Sequence, residues 1–238
     1  MDASTRSCLE SALQCKHGSR DFCRELSTAS LEAFTKVQRR LAFAAGATVF
    51  DEGEAPRGIF VLCAGRIKLS MNASSGRTLI LKIAEPGVVL GLDSVIAGKA
   101  YELTAEAMQP CQLDFVRRAE FLRFLDEHND ACRRAVQQIS HDCLEMHERI
   151  RLIGLTNSVP GRLAHFLLEL STRAQGGGDG FVKLGIGLTH EEISQLIGAS
   201  REAVTRVLAD FNKSGIAELR GGTLVIHNKA ELEKLLAA

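Results

Sequence analysis

Residues 41–118 constrain the fold more tightly than any other stretch. Gly46, Gly53, Gly58, Gly65, Gly76, Gly87, Gly91 and Gly98 cut the stretch into apolar runs of strand length. The runs Ile59–Cys63, Ile67–Met71 and Leu79–Ile83 are rich in Ile, Val and Leu. Many short strands at near-regular turn spacing predict a β-sandwich or β-roll, and a helix has little support in this region. The turn Asn72-Ala73-Ser74-Ser75-Gly76 between two such runs predicts a hairpin.

Outside this stretch the pattern turns helical. Leu26, Leu31, Phe34 and Val37 lie near 3.6-residue spacing and predict a short helix over residues 26–40. Val136, Ile139, Cys143, Met146, Ile150 and Ile153 follow one another at intervals of 3, 4, 3, 4 and 3. That is a seam of 3.5-residue period, the pattern of one helix packing on a copy of itself. The competing reading is a helix packed on its own domain. Pro160 suits a first helical turn, so a new helix is expected to run from there to about Ala174. Gly176-Gly177-Gly178-Asp179-Gly180 lacks the Lys-Ser/Thr ending of a phosphate-binding loop and reads as a surface connection.

Residues 188–226 carry the chemistry. Thr189 with Glu192 three residues on forms a capping box, and Ile193, Leu196 and Ile197 give that helix one apolar side. Gly198 suits a left-handed helix end, and Ser200 caps a second helix. A helix, a short glycine turn and a second helix make a helix-turn-helix. In the second helix Val204, Val207, Leu208 and Phe211 form the buried stripe. Arg201, Glu202, Thr205 and Arg206 remain near its N-terminal end, off that stripe, where such helices enter a major groove. Arg donates two hydrogen bonds to guanine, and Glu accepts one from the cytosine amino group. Ser200 and the helix N-terminus suit a phosphate. Ile216–Leu219 and Thr223–Ile226 flank Arg220-Gly221-Gly222 as a hairpin wing, with Arg220 placed for the DNA backbone. The plain alternative is a solvated helix face with i,i+4 charge pairs.

Charge neither supports nor opposes this reading. The chain carries 29 basic and 29 acidic residues, which excludes a polybasic or acidic tail but not a local basic face. With no Trp and one Tyr, a stacking platform for single strands is not expected. No apolar run approaches the roughly 18 residues of a membrane span, and the first 25 residues show no export signal. A cytoplasmic protein with free thiols is therefore the expectation for the seven Cys. No catalytic motif appears, so an enzyme, including a thiol enzyme, is not expected.

The residues already named also resemble the CRP/FNR superfamily of transcription regulators over roughly residues 26–238. Gly46-Ala47-Thr48-Val49-Phe50-Asp51-Glu52-Gly53-Glu54 resembles the opening Gly-x-x-(Ile/Val)-Phe-x-x-Gly-Glu of the family's roll. The run from Ile59 to Leu69 resembles its next strand pair. Ser200-Arg201-Glu202-Ala203-Val204-Thr205-Arg206 resembles the recognition motif Ser-Arg-Glu-x-Val-x-Arg of the cyclic-AMP receptor branch. The resemblance implies an α+β chain in four parts. They are a Cys-containing extension (1–25), a cyclic-nucleotide-binding-like β-roll that senses an effector (26–130), a long dimerisation helix (131–157) and a C-terminal winged helix-turn-helix (158–238). It also implies a homodimer on double-stranded DNA, a palindrome with GTGA-like half-sites, and RNA polymerase as a partner if the protein activates. Arg201 and Arg206 would read guanines and Glu202 a cytosine.

The signal is harder to assign. Cyclic-nucleotide members carry Gly-Glu and then Arg-Ser/Thr in a phosphate cassette. Here Leu92 follows Gly91, and Tyr101-Glu102 stands where Arg-Ser would be, so cyclic AMP is not expected. Gly91-Leu92-Asp93-Ser94 is closer to the oxygen-sensing branch, which holds an iron–sulfur cluster on four Cys. The matching thiols would be Cys8, Cys15, Cys23 and Cys111, although their spacing lacks that branch's closely spaced pair. Free or redox-active thiols and a stand-alone cyclic-nucleotide module are the alternatives. His17, His128, His141 and His147 suggest solvated side chains rather than haem ligands.

Overall fold

The computed structural model describes residues 22–156, 158–173, 182–185 and 187–236. The chain separates into two compact units, Met1–Glu145 and Met146–Ala238.

In the first unit the strands are β1 (Arg39–Phe43), β2 (Thr48–Phe50), β3 (Gly58–Ala64), β4 (Ile67–Asn72), β5 (Thr78–Ala84), β6 (Val89–Leu90), β7 (Thr104–Ala107) and β8 (Cys111–Arg117). They form two antiparallel four-stranded sheets, ordered β1-β8-β3-β6 and β2-β7-β4-β5. Strand β3 shows why its sequence is apolar without alternation. Successive side chains point to opposite faces of a strand, and here both faces are covered. Phe60 and Leu62 face the interior between the sheets, with Phe50, Ile67, Leu90, Tyr101, Cys111 and Leu113. Ile59 and Val61 face a second cluster built with Phe22, Phe34, Val116, Phe121 and Phe124.

That second cluster is supplied largely by helices α1 (Thr28–Val37) and α3 (Arg118–Glu127) and the start of α4 (Asn129–Leu155). Asp130, in the first turn of α4, ties α4 to α1. It accepts hydrogen bonds from the Ser27 amide at 2.7 Å and the Ser30 hydroxyl at 2.7 Å. Those two donors, the Ser27 amide first, hold its carboxyl well below the usual carboxylate range. Lys82 of β5 reaches Asp142 at 2.5 Å and Glu145 at 2.9 Å, joining the sheet to α4 further along.

The hairpin predicted around Asn72–Gly76 is the β4–β5 connection, with Asn72 opposite Thr78. One helix inside the strand region went unread from sequence: α2 (Leu92–Ala97). At six residues it is too short to express a 3.6-residue period.

The second unit contains α5 (Val159–Arg173), β9 (Val182–Gly185), α6 (His190–Ile197), α7 (Arg201–Lys213), β10 (Ala217–Arg220), β11 (Thr223–Ile226) and α8 (Lys229–Lys234). The wing is a three-stranded sheet ordered β10-β11-β9, where the sequence pattern predicts a two-stranded hairpin. Arg220 pairs with Thr223 across a two-residue Gly-Gly turn, a connection that favours glycine. Residues 176–180, read as a surface connection, lie outside the described residues. No described helix is long and apolar enough to cross a membrane.

Candidate nucleic-acid interface

The interface is built from α6, α7 and the wing. Thr189 caps α6 in the predicted manner. The Glu192 amide donates to Thr189 Oγ1 at 3.1 Å, and the Thr189 amide donates to Glu192 Oε2 at 2.8 Å. Gly198 ends the helix at φ +64°, a conformation that favours glycine. Ser200 then caps α7, accepting from the Ala203 amide at 3.2 Å. Two arginines from distant positions donate to the end of α6: Arg149 to the Leu196 carbonyl at 3.4 Å and Arg162 to the Gly198 carbonyl at 3.2 Å. Cations suit the carbonyl end of a helix, so these bonds brace the turn that sets the angle between α6 and α7.

Helix α7 is divided as its sequence predicts. Val204, Val207, Leu208 and Phe211 are buried. Arg201, Glu202, Thr205 and Arg206 are exposed, so four side chains able to recognise a base edge or phosphate share the N-terminal half. The carboxyl of Glu202 is held below its ordinary value by its own amide, the Ser200 hydroxyl and the Arg201 charge. It therefore stays ionised and acts only as an acceptor, which suits the cytosine amino group. Arg220 on the wing is 77% exposed and paired with Glu218 at 3.0 Å. A pair this exposed is worth little and yields readily to a phosphate.

Sequence reading missed His190. Its Nδ1 lies 2.9 Å from Thr205 Oγ1, linking the two helices on the exposed side. No local motif signals that contact, or those of Arg149 and Arg162, because each joins separate elements.

The seam residues divide into two groups. Val136 and Ile150 are open, at 60% and 59% exposure, and Met146 and Cys143 are exposed as well. Ile139 and Ile153 are half-buried, Ile139 against the cluster under α1 and α3. Leu144 and Leu155, which the seam omitted, are among the most exposed apolar side chains of the helix.

Of the four candidate cluster thiols, the described residues include Cys23 and Cys111. Cys8 and Cys15 lie outside them. Cys111 is buried between the sheets, its single thiol proton shared between the carbonyls of Arg66 at 3.3 Å and Gln109 at 3.1 Å. Cys23 packs against the other cluster. A buried thiol whose one proton is shared between two carbonyls in an apolar interior does not fit a cluster ligand. Of the histidines read as solvated, His128 is half-buried against Phe124, with its Nδ1 3.2 Å from Ser30 Oγ. His141 lies 3.3 Å from Glu145.

The cassette region has its own geometry. Tyr101 is 1% exposed and stacks on Phe50 at 4.0 Å between ring centres. Its ring lies so close to Gly91 that a Cβ there would sit 2.6 Å from it.

Comparisons with known proteins agree with the two units. The family profile of the cyclic nucleotide-binding domain matches residues 40–128, and that of the Crp-like helix-turn-helix domain matches residues 161–235. The CRP-like cAMP-activated global transcriptional regulator of Mycobacterium tuberculosis is 27% identical over 205 residues, covering 86% of this chain and 91% of that protein. The nitrogen fixation regulation protein FixK of Bradyrhizobium diazoefficiens is 26% identical over 218 residues, covering 91% of this chain and 90% of that protein. The solved structure of FixK2 from Bradyrhizobium japonicum shares the fold with a TM-score of 0.72 at 23% identity, covering 85% of this chain and 98% of that one.

Proposed function

The chain belongs to the CRP/FNR superfamily, a family of DNA-binding transcription regulators rather than enzymes, and from that premise we propose that it acts as a homodimer on an inverted repeat with GTGA-like half-sites. The observation that carries the reading is the exposed set Arg201, Glu202, Thr205 and Arg206 above the buried stripe of α7. Arg201 and Arg206 offer bidentate donors to guanines, Glu202 accepts from a cytosine, and Ser200, Thr189 and Arg220 hold phosphates. The open apolar side chains of α4 supply the dimer contact, which sets the half-sites about one helical turn apart. Where the protein activates, RNA polymerase is its further partner.

The first unit serves as the sensor, for a signal other than cyclic AMP. Tyr101 fills the space beside Gly91 with a buried ring, and Glu102 brings a negative charge where a cyclic phosphate would need a cation. Selection from a random duplex pool tests the DNA reading. An inverted repeat with a GTGA-like core is the expected product, and recovery of an unrelated repeat would refute it.

A further inference from the structure

The contact between His190 and Thr205 fixes more than the angle between two helices. Thr205 Oγ1 lies 2.9 Å from the Arg201 carbonyl and 2.9 Å from His190 Nδ1. A threonine hydroxyl has a single proton to donate. Given to the Arg201 carbonyl, it leaves Oγ1 as the acceptor toward the ring. Both bonds are made together only when His190 carries its proton on Nδ1. The hydroxyl is then engaged as donor and acceptor at once, and the side-chain torsion is fixed with it. Thr205 itself is exposed. On a tetrahedral Cβ whose oxygen is committed in this way, the methyl is the group left for a partner over that surface.

We propose that His190 is a positioning residue that makes Thr205 a methyl reader, recognising the 5-methyl group of a thymine in the major groove. A free threonine hydroxyl bonds either to base edges or to phosphates and so discriminates poorly. With its proton given to the Arg201 carbonyl and its acceptor side turned to the ring, the hydroxyl cannot donate to a base, and the methyl becomes the discriminating group; thymine alone among the four bases offers a methyl there. The arrangement divides the work on α7: Arg201 and Arg206 read by hydrogen bonds, and Thr205 reads by shape. This inference rests on the DNA reading proposed above.

The test uses the full-length protein and the duplex recovered by selection. Each thymine is replaced in turn by deoxyuridine, which lacks only the methyl, and affinity is measured by fluorescence anisotropy. One thymine per half-site should show about a fourfold loss, the value of one buried methyl-sized group. Thr205→Val keeps the methyl and should keep this dependence, whereas Thr205→Ser should lose it. His190→Ala leaves the bond to the Arg201 carbonyl but releases the acceptor side of the hydroxyl to a base edge, and should cut the dependence to less than about twofold. A purely structural link between helices would change melting temperature without changing the response to deoxyuridine. A parent protein indifferent to every thymine methyl, or a Thr205→Ser variant that keeps the dependence, overturns the proposal. Unchanged dependence in His190→Ala overturns the positioning role. If selection yields no repeat, the DNA reading fails and takes this inference with it; a clear repeat without methyl dependence removes the inference alone.

Discussion

The Tyr101 hydroxyl donates to the Gly58 carbonyl at 2.6 Å, joining the segment before β7 to the start of β3 inside the roll. Burial, the largest influence on this phenol, pushes its pKa above the ordinary value. Tyr101 is the chain's one tyrosine and there is no tryptophan, so phenolate absorbance reports on it alone. The folded protein should develop that absorbance only above the pH at which free tyrosine ionises, about 10. The unfolded chain ionises first, so this group's contribution to stability is present below that pH and is lost as pH rises through the raised value. Phenolate appearing at or below the free-tyrosine pH would contradict the buried placement.

Asp130→Ala removes the acceptor for Ser27 and Ser30. A loss of about 1 kcal/mol is expected near neutral pH by chemical denaturation, as for a lost helix cap. The lowered carboxyl pKa fixes the direction of the pH effect. The stabilisation is complete above the unfolded aspartate value, about 3.9, and is lost as pH falls toward the lower folded value. The gap between parent and variant should therefore be constant from about pH 6 to 8 and close in acid. A gap that widened in acid would rule out this role.

Two arginines should separate by the kind of loss they cause. Arg206→Ala is expected to cost about 1–3 kcal/mol and to relax preference at one base position. Arg220→Ala should weaken all duplexes alike and shallow the salt dependence by about one counterion per half-site. Titrations on selected and scrambled duplexes at several salt concentrations distinguish the two. Base-specific loss in Arg220→Ala would move the wing from backbone to base contact.

Ile150→Glu places a charge on the open face of α4 without disturbing a buried side chain. The monomer should remain folded by circular dichroism, while sedimentation shows the dimer dissociating at micromolar protein and palindrome affinity falling at least about tenfold. An unchanged dimer would place the interface elsewhere.

The placement of Cys111 leads to a compositional prediction. Protein purified without oxygen should be colourless and free of iron and acid-labile sulfide, and Cys111→Ala should bind DNA as the parent does. Stoichiometric iron and sulfide lost in Cys111→Ala would overturn the assignment of this thiol to the core.

The parts legible in the sequence are those whose bonds close within a few residues. Thr189 with Glu192, Gly198 and Ser200 announce both helices because each cap is a local event. The split of α7 into a buried stripe and an exposed edge follows from its period alone. Ser27 with Asp130, Arg149 with Leu196 and His190 with Thr205 join residues that only the tertiary fold brings together, so no sequence window contains them. The seam on α4 was visible as a 3.5-residue period. Leu144 and Leu155 fell outside it because the repeat assigns them to other positions, although the fold leaves them open. Counting cysteines could not reveal that Cys111 points between the sheets.

In the proposed dimer, the open stripe of α4 would make abundance itself an input. If two chains must meet there before a repeat is held firmly, occupancy at low levels rises with the square of the amount of protein. A doubling of expression then becomes about a fourfold change in bound operator, before any effector acts. In that dimer a side chain such as Val136, in solvent in the single chain, would give the regulator a threshold.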